Sequence, residues 1–169
     1  MIPVTYIKRN ISTIGARYNA ANKPLDVLLL AKLAIIEVGG WVEMSMDDLV
    51  FRCGRKLKKP ENESYLVNTI IRPTWGFDYR KNFRKMLIQA IGLATLEIIE
   101  SAVDGAKFAK MTAALNLLRA ARNDVAHTYV KHITVAAPIP APTVVATYFQ
   151  DIYIGLKDME AVMKQLRLI

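Results

Sequence analysis

The sequence predicts an all-α fold: an antiparallel helical bundle of four core helices preceded by an extra N-terminal helical segment. Three observations carry that expectation. Apolar residues recur at helical spacing through most of the chain. β-Branched residues cluster only briefly, at 133–135. Successive periodic segments are joined by short connections, which favours antiparallel neighbours. The 169 residues are 53% apolar, enough for one core, and no Gly- or Ser-rich linker divides them. Residues 1–169 therefore read as a single domain.

Residues 1–21 are basic and weakly patterned, and form an N-terminal extension with a short helix over 6–20. Asn22-Lys23-Pro24 is a start signal, an Asn cap and an early proline. Helix is expected over 25–38, then a kink or interruption at Gly39-Gly40, then helix over 41–51. A basic cluster follows (Arg52, Arg55, Lys56, Lys58 and Lys59), closed by Pro60, with a short helical piece over 61–71 and a turn at Pro73 and Gly76.

Asp78 is placed to cap a helix over 79–103 that stops at Asp104-Gly105. Its early turns carry Arg80, Lys81, Arg84 and Lys85, and Phe83, Leu87, Ile91, Ala94 and Ile98 form its apolar stripe. Two helices complete the bundle, over 106–127 and 143–166, the last with Val145, Tyr148, Ile152, Met159, Val162 and Leu166 on one face. The uncharged stretch 132–150 contains Pro138, Pro140 and Pro142, which would strip backbone donors from a spanning helix, so it reads as a connector and no membrane partner is expected.

Lysine and arginine total 23 against 15 acidic residues, a net charge of +8 that favours polyanions, nucleic acid first. The single Cys53 excludes a disulfide scaffold and fits a reduced, cytoplasmic protein. Lys8 and Arg9 interrupt the opening before a secretory signal could develop. Catalytic groups are scarce. With His127, His132 and Cys53 alone, a Cys/His zinc site is out of reach, and no phosphate loop, nucleophile elbow or dinucleotide fingerprint is present. Neither metal nor cofactor is expected.

The helix over 106–127 has two informative faces. Met111, Leu115, Leu118, Arg122 and Val125 share a stripe, so a guanidinium stands where a core helix places leucine. Arg122 either snorkels to solvent or lines a cleft that receives an anion. Ala109, Ala113, Asn116, Ala120, Asn123 and His127 make a second, small and polar face. Asn123 and His127 lie about 40° apart around the helix, so their side chains converge. The small residues admit another helix closely, either a second copy of the chain or an intrachain neighbour. His127 suits acid–base chemistry near neutral pH, although a histidine near a helix C-terminus is also explained by the dipole alone.

Arg122-x4-His127, with Asn123 after the arginine and Tyr129 two beyond the histidine, resembles the Arg-x(4–6)-His motif of HEPN domains, and its Arg-x4-His-x-Tyr form resembles HEPN toxins paired with nucleotidyltransferase antitoxins. Trp41-Val42-Glu43 and Trp75-Gly76-Phe77 look like further features of prokaryotic HEPN proteins. The resemblance covers about 25–169. It implies a metal-independent endoribonuclease of a toxin–antitoxin or defence system, acting as a homodimer on RNA. His127 would be general acid or base, Arg122 the phosphate ligand and Asn123 an orienting residue. Arg52, Arg55, Lys56, Arg80 and Arg84 could guide RNA, or be solvated helix faces. Tyr129 is either a site for AMP addition by an antitoxin or a cleft-wall tyrosine. The alternative function is a non-catalytic nucleotide- or RNA-binding or adaptor module.

Overall fold

Proline at the first helical position, where a missing N–H costs nothing, opens α2 (Pro24–Cys53), α3 (Pro60–Tyr65) and α7 (Pro142–Gln165). The computed structural model describes residues 1–126 and 139–169. The remaining elements are α1 (Thr5–Ala20), α4 (Arg84–Ile91), α5 (Leu93–Ala102) and α6 (Gly105–Ala126). The described residues are all-helical, without a strand, and none of their helices is long and apolar enough to cross a membrane.

α6 and α7 share the most extensive contact, α2 packs on both, and α1 lies across α2 and α7. The N-terminal segment joins this core, because Ile2, Ile7, Ile11 and Ile14 are buried in the same cluster as Val38, Leu118 and Leu156.

α2 differs from expectation twice. Lys23, not Asn22, occupies the N-cap position, and no side chain caps it. The helix also runs unbroken through Gly39-Gly40. Each glycine costs about 1 kcal/mol of helix propensity. Full burial of Ala34, Ile35, Val38, Val42 and Leu49 on the same helix outweighs that cost.

The segment expected as one helix over 79–103 is divided. It opens in a π-helical turn, Tyr79–Phe83, with Asp78 Oδ1 accepting from the Lys81 N–H at 2.8 Å as the predicted cap. It then breaks between α4 and α5 at Gly92, whose φ of 83° and ψ of 156° form a backbone region nearly closed to other residues. A second π turn, Leu66–Ile71, extends α3. Asp104 begins α6, its Oδ1 accepting from the N–H groups of Ala106 (2.9 Å) and Lys107 (3.0 Å).

α7 approaches α6 closely at Gly155, where a Cβ would lie 2.5 Å from Met111 Cβ and 2.8 Å from its Sδ. Because Met111 Cβ is fixed to the α6 backbone, a rotamer change cannot relieve the clash. Gly155→Ala gains about 1 kcal/mol of helix propensity but overpacks the core by about 2–3 kcal/mol. A net destabilisation of about 1–2 kcal/mol is expected from that difference. A urea midpoint equal to or above the wild type would show that the helices separate freely.

Inside the core, Arg52 and Glu160 form an ion pair, Nη1 to Oε1 at 2.6 Å, with both side chains 3% exposed. Asp48 Oδ2 lies 2.9 Å from Arg52 Nε. Lys164 Nζ and the Met1 amino group reach Glu160 Oε1 at 3.2 and 3.0 Å. This corrects the RNA-guiding role expected of Arg52: its guanidinium is buried and committed to carboxylates, so it cannot meet a phosphate.

Candidate nucleic-acid interface

Leu118 and Val125 point into the core from the last turns of α6, and Arg122 stands between them in the stripe. Its side chain is 37% exposed. The aliphatic part passes over Gly39 of α2, where Cγ would lie 3.7 Å from an added Cβ. The guanidinium reaches the surface, with Nη2 at 3.6 Å from Glu43 Oε1. The stem packs and the head snorkels to the surface, where it stands on the wall of a cleft.

That cleft has a volume of about 210 Å³. Arg122 and Asn123 form one wall with Arg119, which lies one helical turn earlier. The turn from Trp75 to Asp78 forms the opposite side, with Lys81 and Asn82. Among the described residues its lining carries three cations and the Asp78 carboxylate, which lies 3.4 Å from Arg119 Nε, while Glu43 flanks Arg122 from outside the lining. Such an arrangement offers a planar donor fork and point charges to an anion of phosphate size.

Asn123 is exposed, as are Ala109, Ala113, Asn116 and Ala120. The small polar face thus lies open among the described residues, where the sequence left open an intrachain helix contact. His127 is the residue after Ala126, the last described residue of α6, and His127, Tyr129 and His132 lie outside the described residues.

Glu43 and Asp47 stand one turn apart on α2. Burial, and then the Glu43 charge, pushes the Asp47 carboxyl up to about 6. The Cys53 thiol is half-buried and donates to the Leu49 carbonyl at 3.3 Å. Burial pushes it up to about 11, so this cysteine is not a ready nucleophile.

Arg84 does not present a free cation. Its Nε and Nη2 donate to Glu100 Oε1 and Oε2 at 2.8 and 3.2 Å, and the Tyr79 hydroxyl donates to Oε1 at 2.7 Å. Burial works against the Glu100 carboxylate, but hydrogen bonds from Arg84 and Tyr79 outweigh it and hold the carboxyl below its ordinary range. Burial first, and Glu100 second, raise the Tyr79 phenol. Of the expected RNA-guiding residues, Arg84 therefore carries a carboxylate in its fork while keeping 32% exposure. These groups line a larger depression of about 850 Å³ with the exposed Arg80.

Arg55 and Lys56 are exposed, and Lys56 Nζ donates to the Arg167 carbonyl. Of the expected set, Arg122 and Asn123 meet in one cleft, Arg80 lines a different one, and Arg55 and Lys56 fall at the end of α2. No motif or spacing singled out Arg119 or Asn82. Arg119 was detectable as the residue three before Arg122 on the same helix face. Asn82 was not, because its role depends on the turn it supports.

The chain matches no known protein family, no curated protein and no solved structure in comparisons with each.

Proposed function

We propose that this chain is a metal-independent endoribonuclease of a toxin–antitoxin or defence system, with an antiparallel HEPN-like four-helix core and a composite site in a homodimer. The observation that supports it is the cationic cleft of Lys81, Arg119 and Arg122, with Asn123 on its wall and His127 four residues further along the chain. Arg122 binds the scissile phosphate through its fork and stabilises the charge that develops on the phosphoryl oxygens. One His127 removes the proton of the 2′-hydroxyl, whose oxygen attacks the adjacent phosphorus. The 5′-oxygen of the next nucleotide leaves and takes a proton from the second copy's histidine. The exposed small-residue face of α6 is the surface on which the two copies meet. A neutralising antitoxin is the expected partner, and Tyr129 is its site for AMP addition only if that partner is a nucleotidyltransferase.

The test is incubation of purified protein with single-stranded RNA in EDTA. Fragments ending in 2′,3′-cyclic phosphate and beginning with 5′-hydroxyl are expected. Cleavage that requires an added divalent cation, or that leaves 3′-hydroxyl ends, would overturn the mechanism. Binding without cleavage would favour the adaptor reading.

A further inference from the structure

Trp75 is 85% exposed, unusual for the largest apolar side chain. Trp41 shows the ordinary arrangement, half-buried edge-on against Phe149 at 4.8 Å with its indole N–H donating to the Pro3 carbonyl at 2.8 Å.

The exposure of Trp75 does not come from a loosely held backbone. Asn82 Nδ2 donates to the Trp75 carbonyl at 2.9 Å, while its Oδ1 accepts from the Asp78 N–H at 3.0 Å. On the other side, the Thr74 N–H donates to Ile71 O at 3.0 Å and the Thr74 hydroxyl to Ile70 O at 2.8 Å. Gly76, at φ of 95°, turns the chain so that the next side chain, Phe77, is buried at 1% exposure. The backbone is anchored on both flanks, and the indole is left in water at the rim of the cleft that holds Arg119 and Arg122.

We infer that Trp75 is a stacking platform for an unpaired nucleobase whose phosphate sits on the Lys81–Arg119–Arg122 cluster, so that the substrate is single-stranded RNA. The neighbours decide the ligand class. Beside Trp75 and Phe77 the cleft is lined by Asp78, Lys81, Asn82, Arg119, Arg122 and Asn123, a mixed apolar and net cationic setting that suits a base with its phosphate better than a wholly apolar protein face. A duplex keeps its bases stacked inside and offers no π-face to the indole. A platform fixed before binding also spares the entropy of ordering a loop. The inference rests on the ribonuclease reading for RNA as the natural ligand, and deepens it by naming the form of the substrate.

The probe is a fluorescently labelled 2′-O-methyl RNA dodecamer of mixed sequence, which has no free 2′-hydroxyl and cannot be cleaved by the proposed route. Anisotropy gives its Kd for the full chain, and indole emission is followed in parallel. Trp75→Ala should weaken binding about 5- to 150-fold, the range of one lost base–aromatic stack. Trp75→Phe should lose much less, and the annealed duplex should bind more weakly than the single strand. Oligonucleotide should quench wild-type indole emission and leave the Trp75→Phe emission, which reports Trp41 alone, unchanged. Equal Kd values for wild type and Trp75→Ala, or tighter binding of the duplex, would overturn the inference even if the protein cleaves RNA. Trp75-dependent binding of the single strand without any RNA cleavage would uphold the inference and defeat the ribonuclease reading.

Discussion

Arg52→Ala should destabilise the fold by about 3–5 kcal/mol, the cost of leaving one partner of a buried ion pair alone. The pair is short and dry: 2.6 Å from Nη1 to Glu160 Oε1, with 3% exposure on each side. Removing the guanidinium leaves a carboxylate among apolar helices. Lys164 Nζ and the Met1 amino group remain at 3.2 and 3.0 Å, but their side chains are 47% and 82% exposed and are screened by water. They cannot replace the lost partner. Replacing both members, Arg52→Met with Glu160→Leu, removes both charges and should recover most of the stability. Urea unfolding followed by circular dichroism reads both variants. A loss below about 1 kcal/mol for Arg52→Ala would contradict the buried-pair account, as would a double variant no more stable than the single.

The same pair sets an acid limit. Burial raises the Glu160 carboxyl, but hydrogen bonds from Arg52, the amino terminus and Lys164 outweigh it and bring it down to about 2 from an ordinary 4.5. A carboxylate whose folded pKa is depressed contributes stability that is complete above its unfolded value. That contribution is lost as pH falls from about 4.5 through about 2. Wild-type stability should therefore decline across this window, and the Arg52→Met, Glu160→Leu variant should decline less.

Arg52 also marks where sequence stops being sufficient. It opens a run with Arg55, Lys56, Lys58 and Lys59, and by type nothing distinguishes it from them. One partner was within reach of helical spacing, Asp48 four residues earlier, but Glu160 lies 108 residues away and only the α2–α7 contact brings it close. The helices themselves were legible because apolar periodicity is a local signal. The break at Gly92 was not, since a glycine in an apolar helical pattern is usually tolerated and its φ of 83° leaves no mark in the sequence. Arg122 was visible as a charge in a leucine position. Its cleft was not, because Trp75, Asp78 and Asn82 come from a turn more than thirty residues earlier in the chain.

Arg122→Ala should lower kcat for RNA cleavage about 10²- to 10³-fold, the usual cost of one preorganised donor to a developing oxyanion. His127→Ala should lower it about 10²- to 10⁴-fold, as for a lost general acid–base. The arginine prediction separates chemistry from packing. Its stem passes over Gly39 between Leu118 and Val125, so a purely structural role would be served as well or better by leucine. Arg122→Leu should therefore unfold at the same or a higher urea concentration than wild type while losing activity as Arg122→Ala does. Arg122→Lys keeps the charge but loses the fork, and should recover KM more than kcat, because a point charge attracts the phosphate without matching its planar geometry. Single-turnover cleavage in EDTA, measured for the four variants beside their urea midpoints, decides the matter. Arg122→Leu retaining wild-type kcat would make this arginine a packing residue and leave the cleft without its central ligand.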